Sequence, residues 1–192
     1  MSSILKVGEI QDPTNGNTAL SIATDGKVTG SVNDSRQCVM GFMLTSGLGA
    51  SQTPITGWTD MATQLSSEQV GKITRGGSVT QSSGVFSFPF TGLWQIEFYG
   101  SANSSGGDPT IEYNIRSSQN GGGTFSNIAQ VKTSHSASGY KASASMKTLY
   151  HCADTTNHKI DFQQTSFGNS TSEGETGHAA TYCIFTWLGD AD

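Results

Sequence analysis

Alternation of large apolar residues at every second position is the feature that most constrains how this 192-residue chain can fold. Two such runs follow one another, separated only by Thr91 and Gly92. A period of two places apolar side chains on one face of a β-strand, whereas an amphipathic helix repeats them every three to four residues. We therefore predict two strands joined by a tight turn. Their alternating residues are Phe86, Phe88 and Phe90 in the first run, and Trp94, Ile96 and Phe98 in the second.

Further strand patterns continue to the C-terminal end of the sequence. Residues 111–115 alternate in the same way and predict a hairpin with residues 125–131 through the glycine-rich turn 120–123. Residues 146–152 and 160–164 predict a second strand pair linked by the polar turn 154–158, and a last strand covers residues 179–188. The chain has 24 Gly and only 13% charged residues, a composition that suits many short strands and few helices. The predicted class is an all-β antiparallel sandwich or barrel.

The last strand is unusual because both of its faces are apolar. In a monomeric antiparallel sandwich, one face of a strand packs on the core and the other carries polar residues toward water. We therefore predict that copies of the same strand cover the second face around a closed symmetry axis. Cover by a loop or by the preceding connector is the alternative. One face carries Tyr182, Ile184 and Leu188, the other Cys183, Phe185 and Trp187, and the candidate trimer-interface residues are Tyr182, Ile184, Trp187 and Leu188.

The first 30 residues carry short strand patterns at 4–10 and 19–23 that are too small to hold a core of their own. We interpret residues 1–30 as a docking segment, residues 31–57 as a connector, and residues 58–192 as the folded body. A segment without a core must pair with copies of itself or pack on a neighbour. The candidate docking residues are Ile4, Val7, Ile10, Leu20, Ile22 and Val28.

Charge and cysteine usage exclude several classes of protein. The net charge is −5 and the 10 Lys and Arg residues are scattered, which disfavours nucleic-acid binding. No apolar run approaches the roughly 20 residues that a membrane span needs, so we expect no membrane insertion. Cys38, Cys152 and Cys183 are widely spaced and include no CxxC pair, so we expect free thiols rather than disulfides or a zinc site.

Chemical motifs are equally sparse, and we expect no catalytic residues, no cofactor and no metal. The sequence lacks a GxSxG nucleophile elbow and a GxGxxG phosphate loop. Most Asp residues lie in turns, where Asp bonds to its own backbone, rather than in paired positions for glycoside cleavage. Loops on a rigid sandwich are nevertheless suited to recognition. The candidate ligand-binding loop residues are Asp108, Asn120, Glu173, Glu175 and His178.

Two stretches of the body resemble a known family. The run GVFSFPFTGLWQIEF at residues 84–98 and the closing stretch TYCIFTWLGD at residues 181–190 resemble the complement-head and tumour-necrosis-factor-like jelly roll. The resemblance covers residues 58–192 and implies a jelly-roll sandwich that assembles as a homotrimer. The closing strand departs from the family by ending in Trp-Leu-Gly-Asp rather than in an aromatic residue followed by proline.

The stretch SILKVGEIQDPTNGNTALSIATDGKVTG at residues 2–30 resembles the opening module of fibre and other virion proteins of tailed bacteriophages. Together the two resemblances imply a small homotrimeric fibre or decoration protein, located on the phage particle and anchored to other virion proteins by its N-terminus. The alternative is a receptor- or glycan-binding knob that recognises a host-surface glycan or protein. A hydrolase acting on surface polysaccharide has little support in the sequence.

Overall fold

In a computed structural model of the chain, the structure describes residues 9–11, 18–22, 28–29, 36–65 and 70–191. These residues form sixteen β-strands and one short helix. The chain divides into two compact units, residues 1–36 and residues 37–192. In chain order the elements are β1 Glu9–Gln11, β2 Thr18–Ile22, β3 Val28–Thr29, β4 Gln37–Leu44, β5 Leu48–Gly49, β6 Trp58–Asp60, α1 Met61–Gln64, β7 Ile73–Arg75, β8 Thr80–Ser82, β9 Val85–Ser87, β10 Gly92–Ser104, β11 Asp108–Ser118, β12 Ser126–His135, β13 Lys141–Cys152, β14 Lys159–Thr165, β15 Ser170–Ser172 and β16 Tyr182–Gly189.

The first unit contains a three-stranded antiparallel sheet in the order β1-β2-β3. Ile10 lies opposite Leu20, and Ile22 lies opposite Val28. Four of the six candidate docking residues are therefore in paired strands. Ile4 and Val7 lie outside the described residues.

The second unit is a sandwich of two antiparallel sheets. The larger sheet has eight strands, ordered β5-β15-β10-β16-β4-β6, with β13 also paired to β10 and β7 also paired to β4. The smaller sheet has five strands in the order β12-β11-β14-β9-β8. The predicted fold class, an all-β antiparallel jelly roll, is confirmed.

Alternating aromatic residues fill the space between the two sheets. Phe86 is fully buried, and its ring centroid lies 5.1 Å from that of Phe42, 5.5 Å from Phe162 and 5.0 Å from Phe185. These rings come from β4, β9, β14 and β16, so strands distant in sequence meet at one point. Ring pairs at such distances add stabilisation beyond the burial of apolar area. The inward positions of β10, namely Trp94, Ile96 and Phe98, are likewise buried, as the alternation predicts.

The assignment of residues 31–57 to a connector needs correction. Residues 37–44 form β4, a strand of the larger sheet that pairs with β16, and the boundary between the two units falls after residue 36. The strand lacks a clear period in the sequence because Met43, between the inward-facing Phe42 and Leu44, is fully buried as well. A strand covered on both faces loses the alternation that marks an exposed one.

The predicted pairing of residues 146–152 with residues 160–164 is also wrong. These segments form β13 and β14, and the two strands belong to different sheets: β13 pairs with β10, whereas β14 pairs with β11 and β9. The polar turn between them is present, and the His158 amide donates to the Asp154 carbonyl at 2.8 Å. A polar turn looks the same in sequence whether it joins neighbouring strands or crosses the sandwich. The predicted hairpin of β11 and β12 is confirmed.

Candidate functional site on the outer face of the eight-stranded sheet

The closing strand β16 presents different side chains to the two sides of the larger sheet. Cys183 and Phe185 are fully buried in the core. Tyr182 and Ile184 point to the other side and are only half-buried, and the Leu188 side chain is 50% exposed. Both faces of the strand are therefore apolar, and one of them is open in the single chain.

Neighbouring strands extend this open surface, which we call the outer face. It comprises the residues of β10, β13 and β16 that point away from the core, and Leu149 on β13 is its most exposed large apolar residue at 60%. A solvated face of an antiparallel sheet normally shows polar residues instead. The outer face is defined by Gln95, Glu97, Tyr99, Ser145, Lys147, Leu149, Tyr182, Ile184, Thr186 and Leu188.

Strand register arranges the outer face in rows. One row aligns Tyr182 with Tyr99 and Ser145, and their two tyrosine rings stack with centroids 5.3 Å apart and an interplanar angle of 19°. The next row aligns Ile184 with Glu97 and Lys147. Between these rows lies an open groove of about 470 Å³.

Two charged residues, Glu97 and Lys147, line this groove. Glu97 accepts a hydrogen bond from the Gln95 side chain at 2.5 Å. Lys147 lies opposite Glu97 in the register and is exposed. The groove therefore combines aromatic surface with one carboxylate and one ammonium group.

A short helix covers the part of the sheet beside the outer face. The Asp60 side chain caps α1 by accepting a hydrogen bond from the Ala62 amide at 2.9 Å. Met61 then packs over Gly41 of β4, where a Cβ atom would lie 2.5 Å from the methionine sulfur. A larger residue at position 41 would force the Met61 side chain to move. The helix α1 therefore lies over β4, beside the β16 side chains that remain exposed.

Trp187 differs from the other three candidate interface residues. Its ring packs edge-on against Phe90 at 5.0 Å, and its Nε1 donates to the Thr91 carbonyl at 3.1 Å. The side chain is half-buried against the core of its own chain. Of the predicted set, Tyr182, Ile184 and Leu188 share the outer face, whereas Trp187 closes the end of the sandwich.

The candidate ligand-loop residues do not form one site. Asp108 and Asn120 lie at opposite ends of the 11-residue strand β11, about 35 Å apart. Asp108 is 4% exposed, and its carboxylate accepts the Asn169 amide at 3.0 Å and the Ser170 hydroxyl. Asn120 stabilises the β11–β12 turn, where its side-chain oxygen accepts the Thr124 amide at 3.0 Å. Both residues therefore have structural partners.

Glu173 is also engaged within the chain. Its carboxylate accepts the Ser101 hydroxyl at 2.6 Å and forms an ion pair with Lys141. Although burial acts in the opposite direction, the bonds from Lys141 and Ser101 lower the pKa of Glu173. Glu175 and His178 are exposed in the same loop. These two side chains are exposed, and no hydrogen bond or ion pair within the described part of the chain engages them in the way that Asp108, Asn120 and Glu173 are engaged.

The described Cys, His, Asp and Glu residues form neither a disulfide nor a cluster of metal ligands. All three thiols are buried and free, and burial raises the pKa of Cys152 to about 11. Among the described residues, no three His, Cys, Asp or Glu side chains come together as metal ligands. None of the helices in the described part of the chain is long and apolar enough to cross a membrane.

Six of the ten outer-face residues, those of β10 and β13, were not predicted from the sequence, although a signal for the β10 side was present. The alternation of Trp94, Ile96 and Phe98 fixes which side of β10 faces the core. The same period then places Glu97 and Tyr99 on the opposite side, beside the closing strand. Which strand neighbours β16 depends on long-range pairing, and local sequence does not encode that.

Comparison with known proteins supports the fold. No protein-family model and no curated protein sequence matches the chain. Among solved structures, Eiger TNF from S. frugiperda is similar with 11% identity and a TM-score of 0.62, over 82% of this chain and 96% of that one. Murine APRIL at pH 5.0 is similar with 12% identity and a TM-score of 0.57, over 80% of this chain and all of that one. The body of the chain has a tumour-necrosis-factor-like jelly-roll fold.

Proposed function

We propose that this protein is a non-enzymatic structural component of a tailed-bacteriophage particle. In this proposal it is a small homotrimeric fibre or decoration protein on the particle surface. The first unit attaches it to other virion proteins, and the jelly roll projects as a knob. The observation that carries the proposal is the open outer face, where Tyr99, Leu149, Tyr182, Ile184 and Leu188 remain partly or fully exposed in the single chain and a partner would cover them.

A second copy of the chain suits this face better than an unrelated protein. The tumour-necrosis-factor-like resemblance implies trimers, and closed symmetry lets one surface be covered identically in every subunit. The groove beside Tyr99 and Tyr182 offers aromatic anchors, which dominate the energetics of protein interfaces. Its charged residues, Glu97 and Lys147, have opposite signs, so the face has no net charge to repel a copy of itself.

The first unit supports attachment to a particle. Its three strands contain only ten residues in total, and so small a sheet is marginal in water unless it packs on something else. The phage-like stretch at residues 2–30 coincides with this unit. A separate unit of this kind can attach the knob without altering the sandwich.

Particle incorporation tests the attachment role. Removing residues 1–36 leaves the complete sandwich with its own core. We expect the shortened protein to remain folded and to be absent from phage particles purified by density gradient. The full-length protein with Glu175→Gln, an exposed loop change, is the control and should be incorporated normally. Incorporation of the shortened protein at the normal level would contradict the attachment role.

A receptor-reading role for the knob is the second candidate, and the position of the loops favours it. Strand β4 begins at one end of the sandwich, where Val39 lies beside Thr186. It runs toward the opposite end, where Met43 lies beside Tyr182. Loops 105–107, 136–140 and 166–169 meet at that far end, which we call the distal end. There the Ser105 amide donates to the Asn169 carbonyl at 2.9 Å, and the Gly139 amide donates to the Ser104 carbonyl at 2.8 Å.

Adsorption to host cells tests the receptor role. The purified full-length protein should bind intact host cells and compete with phage for adsorption. Three knobs on one axis would strengthen weak single contacts through avidity. If the protein neither binds host cells nor slows phage adsorption, the receptor role is refuted, and the structural role is unaffected.

A further inference from the structure

A buried histidine without hydrogen-bond partners lies at the distal end. His135 is the last residue of β12 and is only 4% exposed. Neither of its ring nitrogens has a hydrogen-bond partner. A neutral imidazole carries one donor and one acceptor, and leaving both unpaired away from water costs free energy. A buried polar group of this kind requires an explanation.

His135 lines an open hollow of about 450 Å³ together with Gly107, Pro109, Ser134 and Ser136. Ser134 and Ser136 are exposed, and no hydrogen bond of their hydroxyls is present within the described part of the chain. A Cβ atom on Gly107 would lie 3.3 Å from the Ser136 carbonyl oxygen, so glycine keeps this wall of the hollow open. The hollow thus offers two free hydroxyls beside one unpaired imidazole.

We infer that this hollow is a binding site for a neutral saccharide. Sugar hydroxyls both donate and accept hydrogen bonds, which matches the imidazole and the serine hydroxyls. Binding sites place a few convergent polar groups beside apolar and aromatic surface. Pro109 supplies apolar surface in the hollow, and Tyr140, 60% exposed in loop 136–140, supplies an aromatic ring in the adjoining loop.

The charges around the hollow select against acidic sugars. None of its lining residues is Lys or Arg. The carboxylate of Asp108 lies opposite His135 in the strand register and already binds Asn169 and Ser170. An anionic ligand would therefore meet a negative charge with no compensating cation. Because Asp108 is engaged, it is also a poor ligand for a metal ion beside His135.

Access to the imidazole requires a small movement of loop 136–140. All five residues of this loop are exposed, and Gly139 has a φ of 79°. Two backbone hydrogen bonds to Ser104, one donated by the Gly139 amide and one accepted by the Tyr140 carbonyl, hold this loop, so its displacement costs less than movement of a core strand. A sugar hydroxyl then replaces the missing partner of His135. The inference deepens the receptor-reading role and does not depend on trimer formation.

Ring signals of the four histidines in the full-length protein provide the test. Their proton–carbon NMR signals would be followed with D-glucose, D-galactose and N-acetyl-D-glucosamine as neutral probes, with D-glucuronate as an acidic probe and with Zn²⁺ alone. His135→Phe assigns the His135 signals by their loss. We expect at least one neutral sugar to shift these signals with a Kd of about 1–10 mM. Glucuronate should bind at least about tenfold more weakly.

Two variants separate a binding role from a structural one. His135→Phe keeps an aromatic ring but removes both nitrogens. With sugar binding followed by saturation transfer to the sugar protons, this variant should bind about tenfold more weakly or worse, without a lower thermal midpoint. His151→Phe, which changes an exposed histidine at the opposite end of β13 from this hollow, should bind as the wild type does. Unshifted His135 signals with all three neutral sugars, a response to Zn²⁺ only, or undiminished binding by His135→Phe would each overturn the inference. Solution mass and particle incorporation are measured separately, so failure here is distinguishable from failure of the virion role.

Discussion

A charge placed in the centre of the outer face should separate the subunits without unfolding them. Ile184→Lys is the most informative change because of its neighbours. In the register of the sheet, Ile184 lies directly opposite Glu97 of β10. The new ammonium group would therefore face a carboxylate in the single chain. Opposite charges across neighbouring strands contribute roughly 0.2–1 kcal/mol, so the separate protomer should be as stable as before.

The same lysine is costly in the assembly. Because Ile184 is already half-buried, closing the interface over it contributes about 1 kcal/mol per copy, which the variant loses. Removing an ammonium group from water costs several kcal/mol more per copy, even beside a carboxylate. Three copies around an axis raise the total to the order of 10 kcal/mol. For each copy, this cost of several kcal/mol exceeds the roughly 0.2–1 kcal/mol gained in the separate protomer.

Light scattering after size exclusion measures the result. We expect Ile184→Lys to have the mass of one chain, 20.1 kDa, with an unchanged near-ultraviolet circular dichroism spectrum. Thr80→Lys is the control, since it places the same charge at an exposed position on β8 of the smaller sheet, and it should keep the wild-type mass. An Ile184→Lys protein that remains a trimer would refute the assignment of the interface to the outer face.

Three further predictions concern the sandwich itself. Arg116→Leu leaves the buried Asp161 carboxylate, 1% exposed, without its cation, and it should lower the free energy of unfolding in urea by about 3–5 kcal/mol. The double variant Arg116→Leu/Asp161→Leu removes the unpaired charge and should restore most of this loss. Gly84→Ala should lower the free energy of unfolding by about 1–3 kcal/mol in the same assay. Gly84 has a φ of 83°, and a Cβ atom there would lie 2.2 Å from the Ile55 carbonyl oxygen. Wild-type stability of this variant would contradict the prediction. Burial raises the pKa of the Tyr113 hydroxyl to about 12, whereas in the unfolded chain it is about 10. The unfolded chain therefore loses this proton first, and the free energy of unfolding should fall as pH rises from about 10 to 12. Tyr113→Phe should reduce that fall.

Local patterns predicted the strands but not their partners. The alternation of Trp94, Ile96 and Phe98 identified β10 and its buried side, because side-chain direction in a strand depends only on sequence parity. The same reasoning predicted that both faces of the closing strand β16 are apolar. It gave the wrong partner for β13, because a polar turn carries no information on whether the chain stays in one sheet or crosses to the other.

One core strand that the sequence pattern missed, β4, is covered on both sides. Strand β4 has Met43 buried on the face opposite Phe42, so no period marked it as a strand. The intrachain partners of the candidate ligand residues could not be predicted from the sequence, for a different reason. Asp108 has the polarity of a binding residue, but its partners Asn169, in the loop before β15, and Ser170, the first residue of β15, lie 61 and 62 positions later in the chain. Long-range partners of this kind decide whether a carboxylate is structural or free.

The solution mass of the full-length protein tests the central claim most directly. If copies of the chain cover Tyr182, Ile184 and Leu188, size exclusion with light scattering should give about 60 kDa, three times the mass of one chain. The value should hold on dilution to low micromolar concentration, as expected for a large, partly apolar interface. A clean 20.1 kDa species would contradict the account, because the outer face would then be stable in water without a partner.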